Sequence, residues 1–177
     1  MSDYLKQAAI LATFVDTVRQ MNKRCGETLL QKTAYVMKEL FDVPLSDEFR
    51  IHYYGPFSFQ LSDRLASMEA DEIIRVSPRE MGVTYDVGER FEQLRERFPK
   101  TREKYAGAIE FAAEQLAPLG VKQLEPLTTA LYVTRHDPKG SATKRAGKLM
   151  EIKPYLKLAE AAAAIESVDR WIAEVCA

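Results

Sequence analysis

The order of sequence patterns between Thr28 and Val76 limits the possible folds more than any other feature of this chain. Apolar residues recur at three- and four-residue steps after Thr28, alternate with polar ones from Phe49 to Tyr54, and return to helical spacing after Ser58. A Gly-Pro pair separates the alternating segment from the second helix, and the β-like run EIIRV follows it. The order helix, extended segment, turn, helix and strand predicts a small winged-helix or helix-turn-helix unit.

A second pair of β-like runs completes this unit. The runs EIIRV and GVTYDV are joined by SPREMG, whose proline and glycine favour a turn, so a hairpin is predicted over residues 72–87. We therefore predict a mainly α protein with a small β-hairpin, in the α+β class. The single domain, residues 1–177, would contain a winged-helix-like core at 28–87 and a helical extension at 88–177, with Thr28 as the cap of the first core helix.

Helical spacing also appears outside the predicted core. It predicts a first helix from about Asp3 to Asn22 and a C-terminal half made of helices near 104–116, 125–131, 141–152 and 158–175. The last of these has an unbroken apolar stripe, which is typical of a core helix or of a dimer seam. Its length of fewer than three heptads favours core packing, and a homodimer stays open.

Composition narrows the cellular setting and the partners. The sequence is 46% hydrophobic and 29% charged, with a net charge of -1, as in soluble globular proteins. A protein that depends mainly on phosphate contacts is usually more basic. Cys25 and Cys176 lie at opposite ends without CxxC spacing, which indicates a reducing compartment. The N-terminus is too polar for a signal peptide and no apolar run reaches membrane length, so a cytoplasmic protein without a membrane partner is expected.

No pattern of catalytic or metal-binding residues is present. The sequence has two histidines and none of the spacings typical of zinc, calcium or phosphate sites. His52 fits a strand edge, and His136 fits a helix end, where it could bind terminal carbonyls. Lys23 and Arg24 could lower the pKa of the Cys25 thiol, but no base lies near it. We expect no catalytic residue, no metal and no cofactor; an enzyme would need a cleft that joins His52 and Tyr54 to a distant acid.

Two surfaces could bind a macromolecule. An aromatic run and the helix after it could contact a protein partner, although such runs often pack turns. The alternative is a winged-helix DNA-binding regulator that uses the same helix, the wing and a basic stripe, which could also be a solvated helix face. Arg64 is the only cation of that helix, and its acids would repel phosphate, so nucleic acid is the less favoured partner. The predicted partner-binding residues are Tyr53, Tyr54, Phe57, Ser58, Gln60 and Arg64, and the nucleic-acid alternative uses Gln60, Arg64, Arg79, Lys144, Arg145 and Lys148.

Three segments of the chain resemble a known family. The Leu-Gln-Lys start of a helix at 30–32, the aromatic-Tyr-Gly-Pro turn at 53–56 and the Phe-Ser helix start at 57–58 are similar to those of the Panacea antitoxin domain and the YwgA-like bacterial proteins. The residues Leu124, Glu125, Thr128, Thr129 and Ala130 also resemble that family's Leu-Glu-x-x-Ala-Thr helix. The resemblance implies a mostly helical fold with a small winged hairpin, no enzymatic activity, and direct binding of a protein partner such as a toxin.

Overall fold

The computed structural model describes residues 2–176, and for Ser2 the backbone alone. Helices dominate this part of the chain, so the predicted class, mainly α with a small β part, is confirmed. The helices are α1 (Ser2–Gln20), α2 (Glu27–Phe41), α3 (Phe59–Ala70), α4 (Phe91–Arg97), α5 (Pro99–Leu116), α6 (Val121–His136), α7 (Ala142–Ile152) and α8 (Leu158–Val175). The strands are β1 (Cys25–Gly26), β2 (Arg50–His52), β3 (Gly55–Phe57), β4 (Ile74–Pro78) and β5 (Val83–Val87).

Helix α1 lies at the centre of the molecule, although the predicted core begins only at Thr28. Ile10, Leu11 and Phe14 are completely buried, and the helix packs along α5 and against β5. Asn22 adopts a positive φ of 55°, a conformation that ends a helix, and α1 accordingly stops at Gln20. The first helix is therefore part of the core and not a wrapping element.

The larger sheet contains three antiparallel strands in the order β1-β5-β4. Strands β4 and β5 form the predicted hairpin, and β1 pairs with β5 where Cys25 faces Tyr85. The sequence did not predict β1, because two residues are too few for an alternating pattern. Thr28 was also wrong as a cap, since Gly26 precedes α2 and Thr28 lies in its first turn. The element order agrees with the proposed winged-helix-like core, whose assignment to that fold stays a prediction.

A second hairpin, β2–β3, separates α2 from α3. Arg50 pairs with Phe57, Ile51 with Pro56 and His52 with Gly55, so Tyr53 and Tyr54 form the two-residue turn. The alternating pattern predicted the extended segment, but it placed the break at the Gly-Pro pair. In the structure this pair lies inside β3, immediately after the turn.

The C-terminal helices α6, α7 and α8 pack against one another, and α6 also covers α2 and β3. Helix α6 begins at Val121, earlier than the predicted start near Glu125. The apolar stripe of α8 is buried within the protein through Ala161, Ile165 and Val168, as a core helix requires. None of the helices between residues 2 and 176 is long and apolar enough to cross a membrane.

Candidate protein-interaction site

Residues that the sequence analysis singled out in α2, in the aromatic run and in α6 converge on the β2–β3 hairpin, residues 50–57, which we call the aromatic hairpin. Its turn presents two tyrosine side chains to solvent: Tyr53 is 79% exposed and Tyr54 is 56% exposed. The two rings contact each other edge to face, with centroids 4.9 Å apart. Large exposed aromatic side chains are typical of protein-binding surfaces, because they bury much apolar area when a partner covers them.

Gly55 places the turn directly against α6. It adopts a positive φ of 89°, which residues other than glycine tolerate poorly, and both tyrosines before it keep negative φ. A Cβ atom at this position would lie 2.8 Å from Oγ1 of Thr129, closer than real Cβ contacts. Thr129 itself is completely buried and donates to the carbonyl oxygen of Glu125 at 2.7 Å. Backbone conformation and close packing therefore both require glycine here.

Gln31 holds the other end of the hairpin to α2. Its completely buried side chain accepts from the backbone N–H of Ser58 at 3.0 Å and donates to the carbonyl oxygen of the same residue at 2.9 Å. The Ser58 hydroxyl in turn accepts from the N–H of Leu61 at 3.3 Å, so Ser58 is the N-cap of α3. The start of α3 and the end of β3 are thus fixed by one pair of buried polar side chains.

Two buried lysines bind carbonyl oxygens of the hairpin. Nζ of Lys32, in α2, lies 2.7 Å from the oxygen of Pro56, and Nζ of Lys153, at the end of α7, lies 2.5 Å from the oxygen of Tyr53. Nζ of Lys153 is also 3.6 Å from Oε2 of Glu125. Burial lowers the pKa of Lys32 to about 8, against an attraction to Glu125 that raises it.

An aromatic face extends from the hairpin to the start of α3. The rings of His52, Phe57 and Phe59 contact one another, with centroids 5.1 to 6.1 Å apart. Phe59 is 70% exposed although it belongs to α3, and these rings line a surface groove of about 210 Å³. Phe59 was not among the predicted contact residues, yet its exposure makes it part of the same surface. The sequence feature that could have identified Phe59 is a phenylalanine at the first position of a predicted helix.

The structure brings together some of the predicted partner-binding residues and uses others internally. Tyr53, Tyr54 and Gln60 are exposed, and Phe57 is half-buried in the aromatic face. Ser58 is buried as the cap. Arg64 points away from solvent: its guanidinium forms an ion pair with the buried Asp47 at 3.0 Å and donates to Oγ of Ser46 at 2.8 Å. This ion pair attaches the segment before β2 to α3.

Two cations of the nucleic-acid alternative share one carboxylate, and a third is buried. Lys144 and Lys148 lie 3.1 and 2.7 Å from the same carboxylate oxygen of Asp137, and their hydrogen bonds lower the pKa of that carboxyl. Arg145 is buried and donates to both carboxylate oxygens of Asp169 at 2.6 and 2.8 Å.

Arg145 therefore does not lie on the solvated face that the spacing predicted. Arg79 is exposed in the β4–β5 turn, far along the chain from α7. The exposed part of α3 includes Asp63 and Glu69, which disfavour phosphate.

Cys25 is buried, and His136 contacts the backbone at the end of α6. Burial raises the pKa of the Cys25 thiol to about 12, so the neighbouring Lys23 and Arg24 do not activate it. Nδ1 of His136 lies 2.9 Å from the carbonyl oxygen of Tyr132, the helix-end contact that the sequence suggested. Within residues 2–176 no three His, Cys, Asp or Glu side chains are arranged to hold a metal ion.

No protein-family model matches the chain, and no curated protein matches it in sequence. The aromatic hairpin and the buried side chains that hold it are therefore the features from which we infer a function.

Proposed function

We propose that this protein is a non-enzymatic interaction module that binds a protein partner through the aromatic hairpin and Phe59, in the manner of Panacea-type antitoxins. The single observation that carries the proposal is the contrast between the exposed Tyr53, Tyr54 and Phe59 and the rigid, buried anchoring beneath them. An apolar surface held in one conformation loses little conformational entropy when a partner binds.

The resemblance to antitoxins supports the choice of partner class. Its motifs are separated by up to about a hundred residues in sequence, yet Gln31, Lys32, Glu125 and Thr129 all contact or surround the same hairpin. The paired state of Lys144, Arg145 and Lys148 weighs against nucleic acid as the partner. A toxin, or another protein encoded next to this one, is the partner that we propose.

Reconstitution of the complex tests this function. The protein is purified from its native host, a stoichiometric partner is identified, and the two purified proteins are titrated against each other. The variant Y53A/Y54A/F59A is expected to weaken binding by at least about a hundredfold, because exposed aromatic residues at interfaces are frequent hot spots. Met81→Ala is the matched control, since Met81 is 94% exposed in the β4–β5 turn, outside the hairpin.

Two results would contradict the proposal. The first is the absence of any stoichiometric protein partner in the native host. The second is salt-dependent binding of duplex DNA that requires Arg79, which would favour a DNA-binding regulator instead. If the partner is toxic when expressed alone, growth rescue by the wild-type protein but not by the triple variant would establish the antitoxin role.

A further inference from the structure

The outer edge of β2 has backbone groups that its own hairpin does not use. Pro56 has no N–H, so it cannot exchange hydrogen bonds with Ile51, the residue opposite it. The ladder bonds of an antiparallel pair then fall on the neighbouring pairs, Arg50 with Phe57 and His52 with Gly55. The N–H and C=O of Ile51 consequently point away from β3, and no hydrogen bond from elsewhere in the described chain reaches them.

The outer edge of β3, in contrast, is closed. Lys32 binds the carbonyl oxygen of Pro56, and α6 lies directly against Gly55. The aromatic hairpin therefore has one edge inside the protein and one edge available to another chain. Unpaired edges of this kind are the sites at which extended segments add to a sheet.

Two grooves flank the open edge, one on each face of the hairpin. Side chains alternate between the faces of a strand, so His52 and Phe57 lie on one face and Phe49 on the other. The first groove, about 210 Å³, is lined by His52, Phe57 and Phe59, and the second, about 330 Å³, by Tyr35, Phe49, Tyr132 and His136. Glu48 and Arg50 line both grooves, which places β2 between them.

We propose that the partner adds a short extended segment to β2, as a third strand of the aromatic hairpin. The proposal rests on the proposed function and specifies how the partner binds. Complementarity of backbone donors and acceptors identifies the occupant as a strand: its N–H and C=O groups pair with those of Ile51. Alternate side chains of the segment enter the two grooves, with an aromatic or aliphatic side chain against His52 and Phe57 and a polar side chain near His136.

Linear peptides provide the test. A library of displayed seven-residue linear peptides is panned against the full-length protein, and an enriched peptide is synthesised with one N-methylated amide at a time. Strand addition uses the amides of every second residue, so N-methylation is expected to weaken binding by about fivefold to tenfold at alternate positions and to leave the positions between them unchanged. A peptide held by its side chains alone would not show this two-residue period.

Ile51→Pro is the matched change on the protein. It removes the outward N–H without removing a hydrogen bond to β3, and it is expected to weaken binding of the same peptide by a similar factor. Met81→Pro, in the β4–β5 turn, should leave peptide binding unchanged. If Ile51→Pro does not fold, as judged by thermal unfolding, the N-methyl series still decides the question.

Several outcomes would overturn strand addition. The first three are an N-methyl series without a two-residue period, unchanged peptide binding in a folded Ile51→Pro variant, and the enrichment of no peptide. The fourth is a wild-type dimer that Ile51→Pro dissociates, because a second copy of the chain would then be the occupant. A reconstituted partner complex that depends on Tyr53, Tyr54 and Phe59 but not on Ile51 would also reject it while leaving the proposed function intact.

Discussion

At the scale of single residues, the buried Lys32 makes the stability of the protein depend on pH. Its ammonium group is almost completely removed from solvent and has the Pro56 carbonyl oxygen as its hydrogen-bond partner. Burial disfavours the charged form, so the pKa falls from 10.5 to about 8 on folding. Between these two values the unfolded chain binds more protons at this site than the folded one. The contribution of Lys32 to the free energy of unfolding therefore increases as pH rises.

This depressed pKa gives a prediction with a definite sign. The free energy of unfolding of the wild type, minus that of Lys32→Met, should increase by about 2 kcal/mol from pH 7 to pH 9.5, because the cost of the buried charge disappears as Lys32 loses its proton. Urea unfolding of both proteins across this range measures the difference. A flat or falling difference would show that the pKa of Lys32 is not depressed.

Gly55 gives a second prediction at this scale. Gly55→Ala should destabilise the protein by about 1–3 kcal/mol, because alanine is strained at positive φ and its Cβ would collide with Oγ1 of Thr129. Thr129→Ala removes the colliding atom but not the backbone strain. The double variant should therefore lose less stability than the sum of the two single variants, as measured by chemical denaturation. Simple additivity would mean that the close contact with α6 carries no energy.

At the scale of elements, the aromatic hairpin depends on a helix about a hundred residues away in sequence. Lys153, at the end of α7, binds the turn through the Tyr53 carbonyl oxygen and forms a buried ion pair with Glu125 of α6. Removal of one member of such a pair leaves the other charge buried without compensation. Lys153 thus couples the conformation of the hairpin to the packing of the C-terminal helices.

The coupling predicts an asymmetry between single and double variants. Lys153→Met should destabilise the protein by about 3–5 kcal/mol, and Lys153→Met with Glu125→Gln should recover much of that loss, because the unpaired carboxylate is then absent. Thermal unfolding measures the stabilities, and hydrogen exchange of the Gly55 amide reports whether the turn loosens. Equal destabilisation in the single and double variants would indicate that the ion pair is unimportant.

The elements that sequence patterns predicted were those with many repeats of one period. The helices α1, α2, α3 and α8 have long apolar stripes, and the β4–β5 hairpin has two alternating runs, so each appeared close to its predicted place. The start of α6 was predicted too late because Pro126 suggested a first turn, whereas the structure accommodates that proline inside the helix. Strand β1 was missed because two residues carry no period.

Long-range pairing accounts for the parts of the site that could not be predicted. The spacing of Lys144, Arg145 and Lys148 suggested an exposed basic stripe, but it contains no information about Asp137 and Asp169, which neutralise it. In the same way, no local pattern marks Lys153 as an anchor of the hairpin. The aromatic run left an exposed surface and a packed turn as alternatives, whereas the burial of Ser58 and the ion pair of Arg64 with Asp47 follow from partners that only the fold brings near.

At the scale of the whole molecule, the predicted core and its helical extension share one hydrophobic interior. Helix α1 packs on α5, and α2 packs on both α5 and α6. Trp171 of α8 contacts Phe111 of α5, with ring centroids 6.0 Å apart, and its indole N–H donates to Gln115 at 3.3 Å. Because α5 packs on α1 and contacts α8, it connects the first helix to the last one.

The shared interior predicts one cooperative unfolding transition. Trp171 is the only tryptophan, so its fluorescence reports the docking of α8, while far-ultraviolet circular dichroism reports all the helices. The two signals should give the same urea midpoint within error, because the extension and the core cannot lose their contacts separately. A fluorescence midpoint well below that of the dichroism would mean that residues 88–177 unfold as a separate unit.

The anchoring of the aromatic hairpin has a consequence for how this protein can change. Lys153 binds Tyr53 through its backbone carbonyl, which every amino acid supplies, and the tyrosine side chains themselves lie in solvent. Replacement of residues 53 and 54 should therefore cost little folding energy, while Gly55 and the buried anchors tolerate almost no change. New binding specificities can thus be selected at the turn, by evolution or in a randomised library, without each variant having to restore the stability of the fold.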